Sequence, residues 1–300
     1  MKKFFKGIGA AVGYFAIYFV INILVLFIGG IFVGLKEGIK AIANPEIIIS
    51  LPRIIESKIY ENALLLSSIG AVITLFVFWL VILISKKSLK ERLELYPVSI
   101  KKTWPVIVLG LTLNLFISHL INYLPIPEHV FHEYVDAISL LGDEITVVQV
   151  LSVVIAAPVL EEVLYRGLIM GSLQGGMPVI VALVIQTVIF GLMHGQILWI
   201  CYATFFGALL AIIKLRYKSL YPCILLHASF NGASYIFAYL NGEIYHNIFI
   251  FIAALFISAY LVILIFNMTN DTRASCSMGI NDYCNNPDKY NPEIYYDVQK

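Results

Sequence analysis

Three short runs in the second half of the chain carry side chains able to activate water. They are Glu161-Glu162-Val163-Leu164-Tyr165-Arg166, Phe190-Gly191-Leu192-Met193-His194 and His227-Ala228-Ser229-Phe230-Asn231. A carboxylate or an imidazole can take up a proton and return it, and imidazole and amide N–H groups can donate to a developing oxyanion. Glu162 and Arg166 are four residues apart, so they share a helical face and are expected to form a charge-assisted pair. Glu161 then points about 100° away from that pair. An apolar setting there suits a carboxylate to general-base work near neutrality. Glu161 is therefore read as the reacting carboxylate, and Glu162 with Arg166 as its structural support. His227 and Asn231 are also four apart and can face one cavity together. Phe190 sits one turn before His194 and is expected to pack beside its imidazole.

The elements that must position these residues are membrane helices. The chain has 300 residues, 60% hydrophobic and 13% charged, with a mean hydropathy of +0.88. Soluble domains run at roughly 45–50% apolar and about 25% charged. A net charge of +1, with no basic stripe interleaved with aromatics, excludes nucleic acid as a partner class. The cysteines Cys201, Cys223, Cys276 and Cys284 form no close pair, which argues against a disulfide framework or a Cys-based zinc site. The apolar run from Ile8 to Leu35 is longer than the roughly 7–15 residues of a signal-peptide core, so it reads as a retained helix.

With about 20 apolar residues per crossing, the sequence predicts an all-α membrane protein with about eight spans. They fall near 8–34, 63–85, 104–123, 146–171, 178–195, 198–213, 219–240 and 247–267. The basic clusters Lys2/Lys3/Lys6, Lys86–Lys102 and Lys214/Arg216/Lys218 fall on one side if both termini are cytoplasmic. The segment Leu124–Ile145, acidic and free of Lys and Arg, then lies outside. The segment 36–62 also lies outside, although Lys36, Lys40, Arg53 and Lys58 weaken the pattern there. From residue 268 the chain is polar and is expected to be a flexible cytoplasmic tail.

An ionisable side chain at the centre of a span costs about 2.5–3.5 kcal/mol on insertion scales, which favours a functional reading. Taken singly, each run has a plainer explanation. A Glu–Arg pair can serve packing, a histidine near a helix end can be interfacial, and Asn231 can bridge helices. Together they are harder to dismiss, because three helices each bring a reactive residue type while charge is scarce in the other spans. His119, His129, His132 and His246 fall at loops or span ends and receive no role.

In that order, Glu161-Glu162-x-x-x-Arg166, Phe190-x-x-x-His194 and His227-x-x-x-Asn231 resemble the motifs of the CPBP, or Abi, family of intramembrane proteases. That family includes the type II CAAX prenyl endopeptidases. The resemblance covers roughly 145–240 and implies a helical bundle with an intramembrane catalytic cavity among the later helices. It divides the chain into N-terminal helices (1–144), a catalytic core (145–240), a last span (241–267) and a tail (268–300). It also assigns the catalytic roles to Glu161, His194, His227 and Asn231.

Two mechanisms fit those residues. In one, Glu161 and His194 deprotonate a water while His227 and Asn231 donate to the oxyanion. In the other, Glu161, His194 and His227 bind zinc with an open water position. Members are commonly named metalloproteases, but the HExxH signature is absent here, and the metal-free route is preferred with zinc kept open. The expected substrate is a small hydrophobic peptide or a membrane protein in the lipid bilayer of the cell. The alternatives are a non-catalytic scaffold or immunity protein that binds a peptide or sensor kinase, and a proton-relaying transporter. Strict alternation of spans places His194 near the outer end of its helix and His227 nearer the inner end. A shared site would then need offset or broken helices, with Gly175, Gly176, Gly191 and Gly195 supplying the freedom.

Overall fold

Inside a bilayer every backbone N–H and C=O must be bonded within the protein, and a continuous apolar segment achieves this as a helix. The structure, a computed structural model, describes residues 1–86, 88–139, 145–239 and 247–285, with side chains to residue 270 except those of Ala238 and Tyr239. Lys87, Asp143, Glu144, His246, residues 286–300 and the side chains of Cys276 and Cys284 lie outside that description. The described residues form helices and no strand. In chain order these are α1 (Lys2–Ala43), α2 (Leu51–Glu61), α3 (Ala63–Ile84), α4 (Leu89–Leu93), α5 (Ile100–Tyr123) and α6 (Glu128–Ser139). They are followed by α7 (Val147–Leu173), α8 (Val179–Leu192), α9 (Ile197–Tyr217), α10 (Tyr221–Tyr239) and α11 (Ile248–Asn285).

All eight predicted spans are helices. Six are long and apolar enough to cross a membrane: α1, α3, α5, α7, α9 and residues 248–270 of α11. The two that do not qualify are the two that carry histidine motifs. Helix α8 is apolar but has only 14 residues, about 21 Å at 1.5 Å per residue. Helix α10 has 19 residues, but its apolar run is broken by His227, Ser229 and Asn231. Helix α11 continues to Asn285, so the sequence expectation of a flexible extension from residue 268 is replaced by helix over 268–285. The first proline after the span is Pro287, and no earlier residue there lacks the backbone donor that a helix needs.

The chain packs as two units, Met1–Leu93 with Ile126–Gly207, and Glu94–Pro125 with Ala208–Lys300. In the first unit, α1 lies along α2 and α3. Gly30 faces Ile59, Gly29 faces Leu66 and Gly70 faces Asn22, while Tyr14 meets Phe78 edge-on at 5.7 Å. Helix α7 packs on this pair. The hydroxyls of Ser68 and Ser152 are 2.6 Å apart, and a side chain at Gly7 would strike the Ser172 carbonyl at 2.7 Å. In the second unit, α5 packs against α10 and α11. Asn114 Nδ2 donates to Ser234 Oγ at 2.9 Å, Ser258 Oγ donates to Thr112 Oγ1 at 2.9 Å, and Phe116 stacks on Phe251 at 5.5 Å. Lys214, 1% exposed, donates to Glu94 Oε1 at 2.7 Å. The acidic connector expected between spans contains α6, which is exposed at Glu128, His129, Glu133 and Asp136.

Candidate active site

Helix α7 is not a uniform α-helix. Residues Leu151–Ala156 and Glu162–Met170 are π-helical. Such widened turns are rare and concentrate at functional sites. Here the second one begins at the paired glutamates. The expected pairing of Glu162 with Arg166 is present. Glu162 and Arg166 are both fully buried and joined by Arg166 Nη1 donating to Glu162 Oε1 at 2.9 Å. Glu161 is partly exposed as a residue but its Oε2 is buried, and its carboxylate is within electrostatic reach of the Tyr165 and Tyr18 hydroxyls.

Arg166 links three helices. Its Nη2 donates to the Gly207 carbonyl on α9 at 3.0 Å, and its Cζ stands 4.1 Å over the Phe190 ring of α8. Only glycine fits at position 207. A Cβ there would lie 2.8 Å from Phe190 Cδ1 and 3.1 Å from Arg166 Nη2. The α8–α9 contact is closer still, since a Cβ at Gly191 would fall 1.9 Å from Thr204 Oγ1. Phe190 is 1% exposed and is also edged by Tyr165 at 5.1 Å.

His194 lies in the turn after α8. Its ring packs edge-on against Phe190 at 5.0 Å, as the spacing predicts, and against Trp199 at 6.4 Å. Its Nδ1 is 2.9 Å from the Phe190 carbonyl. A carbonyl oxygen can only accept, so Nδ1 carries a proton, and in the matching neutral tautomer the lone pair is on Nε2. Gly195 follows with φ +77°, a left-handed setting that glycine adopts without strain.

In the second unit, His227 is 4% exposed and Asn231 is partly exposed on α10. Ser234 follows on the same side and is held by Asn114. Helices α5 and α10 approach closely beside this stripe, where a Cβ at Gly110 would fall 2.0 Å from Ser229 Oγ and 2.7 Å from the Leu226 carbonyl.

Several neighbours of the motif residues carried little or no sequence signal. Tyr165 is four residues after Glu161 and was legible from spacing. Tyr18, Trp199 and Gly207 come from other helices and were not. His119, placed by sequence near a span end, is fully buried, with Nδ1 2.7 Å from the Leu115 carbonyl and its ring stacked on Phe251. Among the described residues no three His, Cys, Asp or Glu side chains gather as a metal site, so no step below is routed through a metal.

Residues 143–233 match the family model described as type II CAAX prenyl endopeptidase Rce1-like. That segment contains all three motifs. No curated protein and no solved structure matches the chain.

Proposed function

We propose that this multi-pass membrane protein, whose residues 143–233 match the type II CAAX prenyl endopeptidase Rce1-like family model, is an intramembrane endopeptidase acting on small hydrophobic or membrane-associated peptides. The observation that carries the reading is the split between two adjacent carboxylates, Glu162 locked to Arg166 in full burial and Glu161 outside that pair, with Oε2 buried but the residue partly exposed. A general base must be reachable by water, and a structural ion pair need not be.

In the proposed reaction Glu161 accepts a proton from water as the water oxygen bonds to the peptide carbonyl carbon. The carbonyl π electrons move onto oxygen, and the role of donating to that oxyanion is the one the family resemblance assigns to His227 and Asn231. Collapse of the tetrahedral species breaks the C–N bond, and the proton held by Glu161 passes to the leaving amine. His194, with Nε2 directed away from its Phe190 anchor, orients the attacking water by accepting its second hydrogen. Zinc on Glu161, His194 and His227, the alternative that the sequence offers, is tested with a chelator, although these side chains do not gather as a metal site among the described residues. Both termini are assigned to the cytoplasm on the basis of the lysine clusters.

The test is cleavage of a membrane-peptide library by the purified protein and its Glu161→Ala variant. The reading predicts loss of cleavage in the variant. Equal cleavage by both would remove Glu161 from the chemistry, and an unaltered cellular phenotype of the variant would favour a scaffold.

A further inference from the structure

A π-helical turn needs support, because the change of register at its end leaves backbone carbonyls poorly served by backbone donors. The turn Glu162–Met170 of α7 ends where Arg92 enters from the five-residue helix α4. Arg92 Nη1 donates to the Gly167 carbonyl at 3.2 Å, and Nη2 donates to the Leu168 carbonyl at 3.1 Å and to Ser172 Oγ at 2.7 Å. Ser172 Oγ in turn donates to the Leu168 carbonyl at 2.6 Å. The guanidinium is seated so closely that a Cβ at Gly171 would lie 2.8 Å from Nη1, and its Cζ is 5.7 Å from the Tyr14 ring centroid. A planar fork can meet two successive carbonyls at once, which a lysine ammonium cannot do in the same way. In the sequence Arg92 is only one of several charges in a basic loop, and that loop speaks to orientation alone.

We infer that Arg92 is a positioning residue for the site, holding the π-helical turn of α7 and thereby the rotational setting of Glu161. The inference rests on the reading of Glu161 as the reacting carboxylate. If the turn relaxed to α-helix, the chain before it would rotate relative to the anchored residues 167–172 by on the order of 100°, one residue of α-helix. Glu161 would swing away from its present setting, and the Glu162–Arg166 pair would be pulled from Phe190. Loss of aim at a reacting group lowers the rate by about 100-fold for a displacement near 1 Å.

The experiment uses full-length protein in detergent, with Arg92→Met and Arg92→Lys compared. Activity is read as kcat for peptide cleavage with its pH profile. A second readout is independent of activity: the maleimide labelling rate of Glu161→Cys in a chain whose four native cysteines are replaced by alanine. Arg92→Met is expected to lower kcat by about 100-fold, shift the pH profile and change the labelling rate severalfold, with Arg92→Lys in between. Unchanged labelling with only a lower melting temperature would overturn the inference and leave Arg92 as a simple clasp. Changed labelling with unchanged kcat and pH profile would overturn it as well. Full cleavage by Glu161→Ala would instead bring down the proposed function, and the labelling arm would still report whether Arg92 sets the turn. Should Arg92→Met fail to fold, Arg92→Lys carries the same comparison.

Discussion

Replacing Arg166 with methionine removes the side chain that ties α7 to α8 and α9. The guanidinium makes one charged bond to Glu162 at 2.9 Å, one to the Gly207 carbonyl at 3.0 Å and one face contact with Phe190 at 4.1 Å, all in full burial. Charged hydrogen bonds contribute about 1.5–3 kcal/mol each, and a desolvated cation–π contact about 2 kcal/mol. These terms do not add, because the guanidinium also loses its hydration when buried. Removing one partner of a buried pair costs about 3–5 kcal/mol in practice, mostly because a charge is stranded. Arg166→Met is therefore expected to lose about that much, and Glu162→Gln/Arg166→Met to recover a substantial part of it. Reversible unfolding in mixed SDS micelles, followed by circular dichroism, measures both. The reasoning is refuted if Arg166→Met lies within about 1 kcal/mol of the wild type, the level of an exposed pair. It also fails if the double variant is less stable than Arg166→Met alone.

Gly191→Ala should push α8 from α9, since its new methyl would sit 1.9 Å from Thr204 Oγ1. A loss of about 1–3 kcal/mol is expected, and Thr204→Ala in the same chain should restore part of it in the same unfolding assay. The Glu61 hydrogen bond, reinforced by its charge, raises Lys58 above its ordinary value of 10.5 in α2. A raised folded-state value means the stabilisation is present below 10.5 and is lost as pH rises through the higher value. The stability difference between wild type and Lys58→Met should thus stay level through neutral pH and shrink only in strong alkali. A slope near neutrality would contradict that assignment. Cleavage that persists in a zinc chelator would support the metal-free route, while chelator loss reversed by added zinc would favour the metal one.

The sequence made the helices legible because long apolar stretches leave the backbone no other arrangement in a bilayer. It was least accurate at chain ends and where polar residues interrupt a span. Helix α8 stops at Leu192 rather than residue 195 because the turn through His194 and Gly195 leaves helical geometry. The Glu162–Arg166 pair and the Phe190–His194 contact followed from four-residue spacing alone, since the partners lie one turn apart along a continuous stretch of chain. Contacts made between elements left no such trace. The Gly207 carbonyl that receives Arg166 and the Arg92 fork at Gly167 and Leu168 depend on helices separated widely in sequence. The π-helical turn was also invisible, because no residue type marks an i→i+5 register.

The central claim is that adjacent glutamates have separate duties, with Glu161 reacting and Glu162 supporting. Single-turnover cleavage and unfolding stability measured side by side for Glu161→Gln and Glu162→Gln test it most directly. The account predicts that Glu161→Gln keeps near wild-type stability and loses about 100- to 10,000-fold in rate, the contribution typical of a general base. Glu162→Gln should be the destabilised variant and should retain measurable cleavage. The reverse pattern, with Glu162→Gln inactive but stable and Glu161→Gln cleaving normally, would contradict the account.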